Sequence, residues 1–476
     1  MSATLAETWF LLALLAPVAG SLLALHPSPT ISEAAARAAS VIAWVGAVGL
    51  LVSGTAQQWI GYFGVDSVSD LFVFLVASIY ALSVWYSRAY LRSVHTPFLT
   101  PQRYYALLAA FAFAMILTLT VSDLGLMWIG VEATTVASAL LIVLERKPTS
   151  VEAAWRYTII ASAGLTIALF GLLLLYRAAG SLNAFALAAN PLPATLTLTT
   201  AVALALVGYG TKVGLFPMHT WLPDAHSEAP SPVSAMFSGV LLPTALYAFL
   251  RVYAVIAAPV PFPLRTLVVV FGLLTAVVAA FLLQRQRSYK RLFAYSSMEV
   301  MGLAIVGIGV GGVALYGALL LVVAHAFAKA AAFYTSGNVL RRTGTTDIDR
   351  VRSIRERWPW TGGTWIASAV AVTGAPPFGT FVGELLILAG SVAMGLYWVA
   401  GIAGAAITLA FLGVNIQVGR MVFGSSDRTY LRQEDPAREL WAPLAGLGVA
   451  LALGLIAIPY LAPAIQAASR FLGGGS

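Results

Sequence analysis

Glu132, Lys212, His325, Lys329 and Glu384 each lie inside a run of apolar and small residues. A charge near the centre of a membrane helix costs at least about 2.5–3.5 kcal/mol. One such residue is explained by a side chain that snorkels to the interface, but a series along one chain needs a joint purpose. Glu, Lys and His together can exchange protons, because desolvation raises the proton affinity of a carboxylate and lowers that of an amine.

Glu132, in WIGVEATTVASAL, is about eight residues from either end of its apolar run, among the small residues Ala133, Thr134, Thr135 and Ser138. Lys212, in GYGTKVGLFPMHTWLPDAH, follows Gly208 and Gly210 and precedes Pro217. A proline removes an internal helix hydrogen bond, and the carbonyls so released can face a watery cavity. The two residues read as a coupled proton-exchanging pair; a fixed salt bridge is the plainer alternative. His325 and Lys329 are four apart in HAFAKAAAFYTSG and share a helix face thinned by alanines, which suits the middle of a relay. Glu384 follows the helix-breaking Pro376 and Pro377 in GAPPFGTFVGE and is the candidate exit-side group.

A second set suits proton uptake or tuning. His219, Asp224, His226 and Glu228 crowd the segment after Pro217. They read as a hydrated uptake point or a loop anchor; Pro223 between them and the absence of a zinc spacing argue against a metal. Glu152 and Arg156 are four apart, an orienting ion pair that could bias Glu132 but not relay, since a guanidinium does not deprotonate. Glu299, in YSSMEVMG, is expected near a helix start, where the helix dipole also favours an acid. Asp66, Asp70 and Asp123 fall near span ends and are expected as caps or interface residues.

The elements that must position these groups are membrane helices. Of 476 residues, 60% are hydrophobic and only 10% are charged, against about 25% charged in soluble domains. Mean hydropathy is +0.87. About fourteen spans fit, from 8–26 to 443–466, with 199–217 and 364–390 interrupted by proline. The start MSATLAETWF has no positive residue and contains Glu7, so the first span reads as a membrane helix rather than a cleaved leader.

Loop charges orient the chain. Twenty basic residues fall on one side, including Arg88, Arg92, Arg103, Arg146, Lys147, Arg285, Arg287, Lys290, Arg291, Arg428, Arg432 and Arg438, against four (Arg177, Arg251, Arg265, Arg470) on the other. The rich side is cytoplasmic, which puts both termini outside. Basic residues scattered between spans give no nucleic-acid face. No loop is long enough for a core of its own. Without cysteine, the chain holds no iron–sulfur cluster, thiolate zinc or nickel–iron centre. It also lacks a phosphate-binding loop.

Spacing suggests a repeat. Lys212 lies 80 residues after Glu132, and Glu384 lies 85 after Glu299. The expected fold is an all-α polytopic membrane protein with two inverted five-helix repeats, broken at helices 7 and 12. The divisions are a three-helix segment 1–100, repeats 101–253 and 254–424, and a C-terminal loop with a last helix, 425–476.

Six motifs carry a family resemblance: MWIGVEATTVASALLI, EAAWRYTIIAS, GYGTKVGLFPMHTWLPDAHSEAPSPVSAMFSGVLL, YKRLFAYSSMEVMG, HAFAKAAAFYTSG and GAPPFGTFVGELLIL. Over roughly residues 60–430 the chain resembles the antiporter-like membrane subunits of complex I, Mrp-type antiporters and group 4 membrane-bound hydrogenases. WIGVEATTVASA, EAAWRY and the long block most resemble the F-type subunit of hydrogenase-4-like complexes. The resemblance implies a proton-translocating subunit in a prokaryotic cell membrane, with no catalytic centre of its own. It also implies other membrane subunits beside it. Soluble iron–sulfur and hydrogenase-like partners on the cytoplasmic face would carry the nickel–iron and iron–sulfur centres. Glu132 matches the fifth-helix glutamate, Lys212 the broken seventh-helix lysine and Glu384 the broken twelfth-helix glutamate, with His325 and Lys329 on the central axis.

Two residues depart from the pattern. The eighth-helix motif often ends in lysine where this chain has Pro243, and Val300 stands where a histidine is common. Both thin the expected relay between Lys212 and His325. Alternative readings are a complex I subunit, a cation/proton antiporter component, an inorganic-carbon uptake subunit with a zinc-bearing partner, and a spacer that no longer conducts.

Overall fold

The computed structural model describes residues 3–54, 57–58, 62–93, 97–145, 147–256, 260–425, 434, 439–456 and 461–472. Arg146, Arg428, Arg432 and Arg438, used above to orient the chain, lie outside the described residues. The chain is predominantly helical, and among the described residues twelve helices are long and apolar enough to cross a membrane.

The helices that matter for the site are α1 (Ala3–Ala24), α2 (Pro29–Ser53), α3 (Ser67–Leu91), α4 (Pro101–Thr120), α5 (Leu124–Ile142), α6 (Pro148–Ala179), the short α7 (Ala184–Ala189), α8 (Leu196–Val213) and α9 (Trp221–Glu228). There follow α10 (Ser231–Met236), α11 (Leu242–Tyr253), α12 (Phe262–Leu283), α13 (Tyr289–Val310), α14 (Gly312–Thr343), the short α15 (Ile354–Arg357), α16 (Pro359–Val372), α17 (Gly379–Ala393) and α18 (Tyr397–Phe423). The apolar helix Trp441–Leu455 and the helix Leu461–Leu472, which carries Arg470 in its last turn, complete the described chain.

Local chemistry sets the boundaries. The Asp66 side chain accepts hydrogen bonds from Val68 N and Ser69 N to start α3, and Asp123 does the same for Gly125 N and Leu126 N at α5. Asp70 caps nothing. α8 ends at Gly214, whose φ of 88° lies in the left-handed region. The chain then turns through Leu215–Pro217 into α9. A similar break separates α16 from α17. α13 begins at Tyr289, so Glu299 sits ten residues inside it and not near its start. The helix-dipole explanation for Glu299 therefore falls away.

Between α10 and α11 the helix widens into a π turn over Phe237–Leu241. The Leu242 N–H reaches back to Phe237 O, and Pro243 has no N–H to give. The Ser238 carbonyl therefore loses its ordinary donor and the next one along. This is the structural effect of Pro243.

The segment 231–253, α13 and α14 form an almost wholly buried centre. Outward-facing residues such as Trp155, Ile159, Phe170 and Leu173 of α6, and Phe281 of α12, are large and apolar, as suits lipid contact. α6 packs closely on α8. A Cβ on Gly164 would fall 2.4 Å from Thr211 Cβ, so only glycine lets α6 approach the residue before Lys212. Gly164→Leu is expected to overpack this contact by about 1–3 kcal/mol or more. Thermal unfolding in detergent checks it: a lowered midpoint is expected, and an unchanged one contradicts the packing.

Candidate functional site

Lys212 occupies the last turn of α8, fully buried and turned toward α5. Its Nζ donates to Val131 O at 3.1 Å and to Thr135 Oγ1, and lies 5.4 Å from the centre of the Tyr157 ring. Glu132, on the same stretch of α5, accepts a hydrogen bond from Ser162 Oγ at 2.5 Å, while its Oε2 is buried without a partner. Among the described residues no ion pair within 4.0 Å joins Glu132 to Lys212. The two are electrostatic neighbours, each hydrogen-bonded to its own hydroxyl, and not a closed salt bridge.

The residues after Pro217 do not form one cluster. Asp224 faces the Arg-rich end, where its two oxygens accept from Arg156 at 3.0 Å and Arg291 at 2.6 Å. Arg156 also donates to Glu152 at 2.5 Å, so its partners are Glu152 and Asp224 rather than Glu132. Glu228 accepts from Thr149 Oγ1 at 2.9 Å and lines a polar cavity of about 290 Å³ with Tyr90, Glu145, Lys147 and Lys290. Lys290, counted above as a loop charge, is 1% exposed and donates to Ala229 O at 2.5 Å.

His226 turns the other way. It is fully buried, with Nδ1 2.8 Å from Leu222 O, its ring centre 5.6 Å from Phe237 and 5.9 Å from Phe333, and Nε2 without a partner. His219 stands apart, against Phe216 and Tyr295. Among the described residues no three His, Asp or Glu side chains converge to hold a metal ion.

At the centre, Lys329 Nζ donates to Phe293 O at 2.8 Å and Ser296 Oγ at 2.7 Å. Glu299, on the next turn of α13, neighbours Lys329, and its Oε1 is buried without a partner. His325, one turn earlier on α14, is fully buried beside the Ser238 backbone that Pro243 leaves exposed to it. Ser238 Oγ meets Ser297 Oγ at 2.7 Å, and Ser297 Oγ donates to Phe293 O at 2.9 Å. With Pro243 and Val300 in place of the expected lysine and histidine, the polar groups found beside His325 and Lys329 are hydroxyls and backbone carbonyls.

Glu384 is buried on α17 and electrostatically adjoins Glu299. Its carboxylate lies over Gly374 at the α16–α17 break: a Cβ there would fall 1.8 Å from Oε2, at a φ of 61°. Thr380 Oγ1 donates to Ala371 O at 2.7 Å across the break.

The structure therefore brings Glu132 beside Lys212, and His325, Lys329, Glu299 and Glu384 into one central group. It leaves Glu152, Arg156 and Asp224 outside on the basic end. Sequence reading missed Ser162, Tyr157, Ser238, Ser296 and Ser297. The available signal was hydroxyls repeating on the buried faces of spans that also carry a charge. Ser162→Ala removes the α5–α6 hydrogen bond to Glu132 and should destabilise the fold by about 1–3 kcal/mol, the cost of leaving a buried polar group unpaired. Thermal unfolding in detergent checks this: the midpoint should fall, and an unchanged one contradicts the contact.

Residues 121–410 match the family described as NADH:quinone oxidoreductase/Mrp antiporter, TM. A hydrogenase-4 component F homolog of Methylacidiphilum infernorum (isolate V4) is 32% identical over 420 residues, covering 85% of this chain and 87% of that one. NADH-quinone oxidoreductase subunit N of Desulforudis audaxviator (strain MP104C) is 31% identical over 361 residues, covering 73% and 70%. In the solved Mrp complex from Dietzia sp. DQ12-45-1b, one chain superposes with a TM-score of 0.87 at 20% identity, covering 99% of this chain and 98% of that one, a likeness of fold. A match across more than half of the chain and a relative of nearly full overlap settle the kinship: this multi-pass membrane protein belongs to the NADH:quinone oxidoreductase/Mrp antiporter membrane-subunit family.

Proposed function

We propose that the chain is the proton-translocating membrane subunit of a redox-driven complex of the hydrogenase-4, group 4 nickel–iron hydrogenase kind. The observation that carries the reading is the series Glu132, Lys212, His325, Lys329, Glu299 and Glu384 inside the bundle, with hydroxyls and backbone carbonyls hydrogen-bonded to both lysines and helix breaks beside Lys212 and Glu384. Each lysine donates to one carbonyl and one hydroxyl of a neighbouring helix, beside a glutamate it does not touch. Such a lysine loses its proton without breaking a salt bridge, which a carrier needs and a structural ion pair does not. The doubled construction supports two inverted five-helix repeats within a fourteen-span layout.

Mixed Lys and His along the axis favour protons over sodium, which would want clustered carboxylates and hydroxyls. The basic end would face the cytoplasm, with both termini outside, and protons would be taken up at the polar cavity lined by Glu228 and Lys290. The likeness to a hydrogenase-4 component F homolog supports the choice of complex. Nickel–iron and iron–sulfur centres would sit in soluble partners, with other membrane subunits alongside.

Mass spectrometry of the proteins that copurify with this chain in mild detergent tests the choice. A nickel–iron large subunit with an iron–sulfur small subunit is the expected result. Antiporter subunits with no redox protein, NADH-oxidising subunits, or a lone zinc-binding partner would each overturn it.

A further inference from the structure

The outer end of the bundle holds a buried charge cluster that the relay does not use. Arg251, near the end of α11, donates to both oxygens of Asp66, at 2.6 and 2.5 Å, and to Ser69 Oγ at 2.9 Å. Its guanidinium lies 4.8 Å from the Tyr247 ring centre and 5.5 Å from that of Phe185. Tyr247 Oη donates to Leu119 O at 3.0 Å and stands 3.0 Å from Ser69 Oγ. Since Tyr247 gives its proton to the carbonyl, Ser69 must give its own to Tyr247. Every hydroxyl proton of the cluster is therefore committed.

Asp70 lies one turn along α3 from Asp66. It is 2% exposed, and its Oδ1 is buried with no hydrogen-bond partner. The charged groups around it are Asp66 and Arg251, which neutralise one another. An ionised Asp70 would leave a net negative charge buried with no donor of its own. A neutral carboxylic acid meets no such penalty. Thr244, Tyr247 and Arg251 recur at helical spacing on α11, from the π turn beside the relay to this cluster. Tyr247 is nine residues beyond Ser238, about 13 Å of helix rise toward the outer face.

We infer that Asp70 is a further proton-binding site, a carboxylic acid that holds a proton at rest and passes protons between the central axis and the outer surface. The inference rests on the proposed translocation. A proton suits this site better than a metal cation, because the guanidinium next door repels cations and the neighbouring hydroxyls are already engaged.

The test uses the intact complex in native membrane vesicles, with proton flux and carboxyl infrared absorption as two separate readouts. Asp70→Asn should lower flux on the order of 100-fold, as for loss of a positioned proton carrier, and Asp70→Glu should restore it. The infrared band of a protonated carboxyl at neutral pH should vanish in Asp70→Asn and shift in Asp70→Glu. Wild-type flux in Asp70→Asn overturns the inference, and so does an infrared spectrum unchanged by both variants. If Asp70→Asn fails to assemble, the Asp70→Glu band still reads the protonation state. Lys212→Ala separates the two claims: flux lost there but kept in Asp70→Asn fails Asp70 alone, while flux kept in both fails the translocation reading as well.

Discussion

Replacing Lys212 with alanine should lower proton flux on the order of 100-fold, the lower end for removal of a positioned proton-transfer group. The effect follows from geometry. Lys212 Nζ is a fully buried amine that donates to Val131 O and Thr135 Oγ1 beside Glu132, and no other basic side chain is on α5 or α8. Lys212→Arg sharpens the test. It keeps the positive charge, but a guanidinium does not release its proton at physiological pH. If the residue carries protons, arginine fails nearly as badly as alanine. If it only holds Glu132 ionised, arginine conducts. Flux measured in vesicles, normalised to assembled complex, distinguishes the two.

The largest effect on stability should come from the Asp66–Arg251 cluster. Asp66→Asn removes one partner of a bidentate ion pair that is almost wholly buried, leaving Arg251 uncompensated. Breaking such a pair costs about 3–5 kcal/mol. Asp66 also caps α3 through two backbone N–H groups, although asparagine preserves much of that bond. The variant should assemble poorly and unfold well below wild type in a detergent melt. Asp70→Asn, a single turn away, should melt almost as wild type, because it exchanges one neutral group for another. Equal destabilisation of the two would mean that Asp70 is ionised and structural.

Much of the axis was legible from the chain alone because burial of charge is expensive. A glutamate centred in WIGVEATTVASAL or a lysine between glycines and a proline stands out against an apolar background. Loop composition and helix length made the all-helical membrane class equally plain. Pairing was not legible. Arg156 sits one turn from Glu152 and six residues before Ser162, and only the packing of α6 against α5 and α9 decides that the arginine goes to Asp224 and the serine to Glu132. The consequence of Pro243 was also hidden. A missing side-chain carrier shows in sequence, but the π turn that exposes the Ser238 carbonyl to His325 is a backbone event. Asp70 and Asp66 read alike as acids near a span end, and their difference lies in Arg251, 185 residues beyond Asp66.

The central claim is a single path running from Glu132 and Lys212 through the centre to Glu384. A double-mutant comparison of proton flux tests it most directly, with Lys212→Ala, Glu384→Gln and their combination in the same vesicle preparation. Groups in series fail together, so the double variant should be no worse than the weaker single one. Additive losses, or Glu384→Gln conducting at the wild-type rate, would contradict the single path.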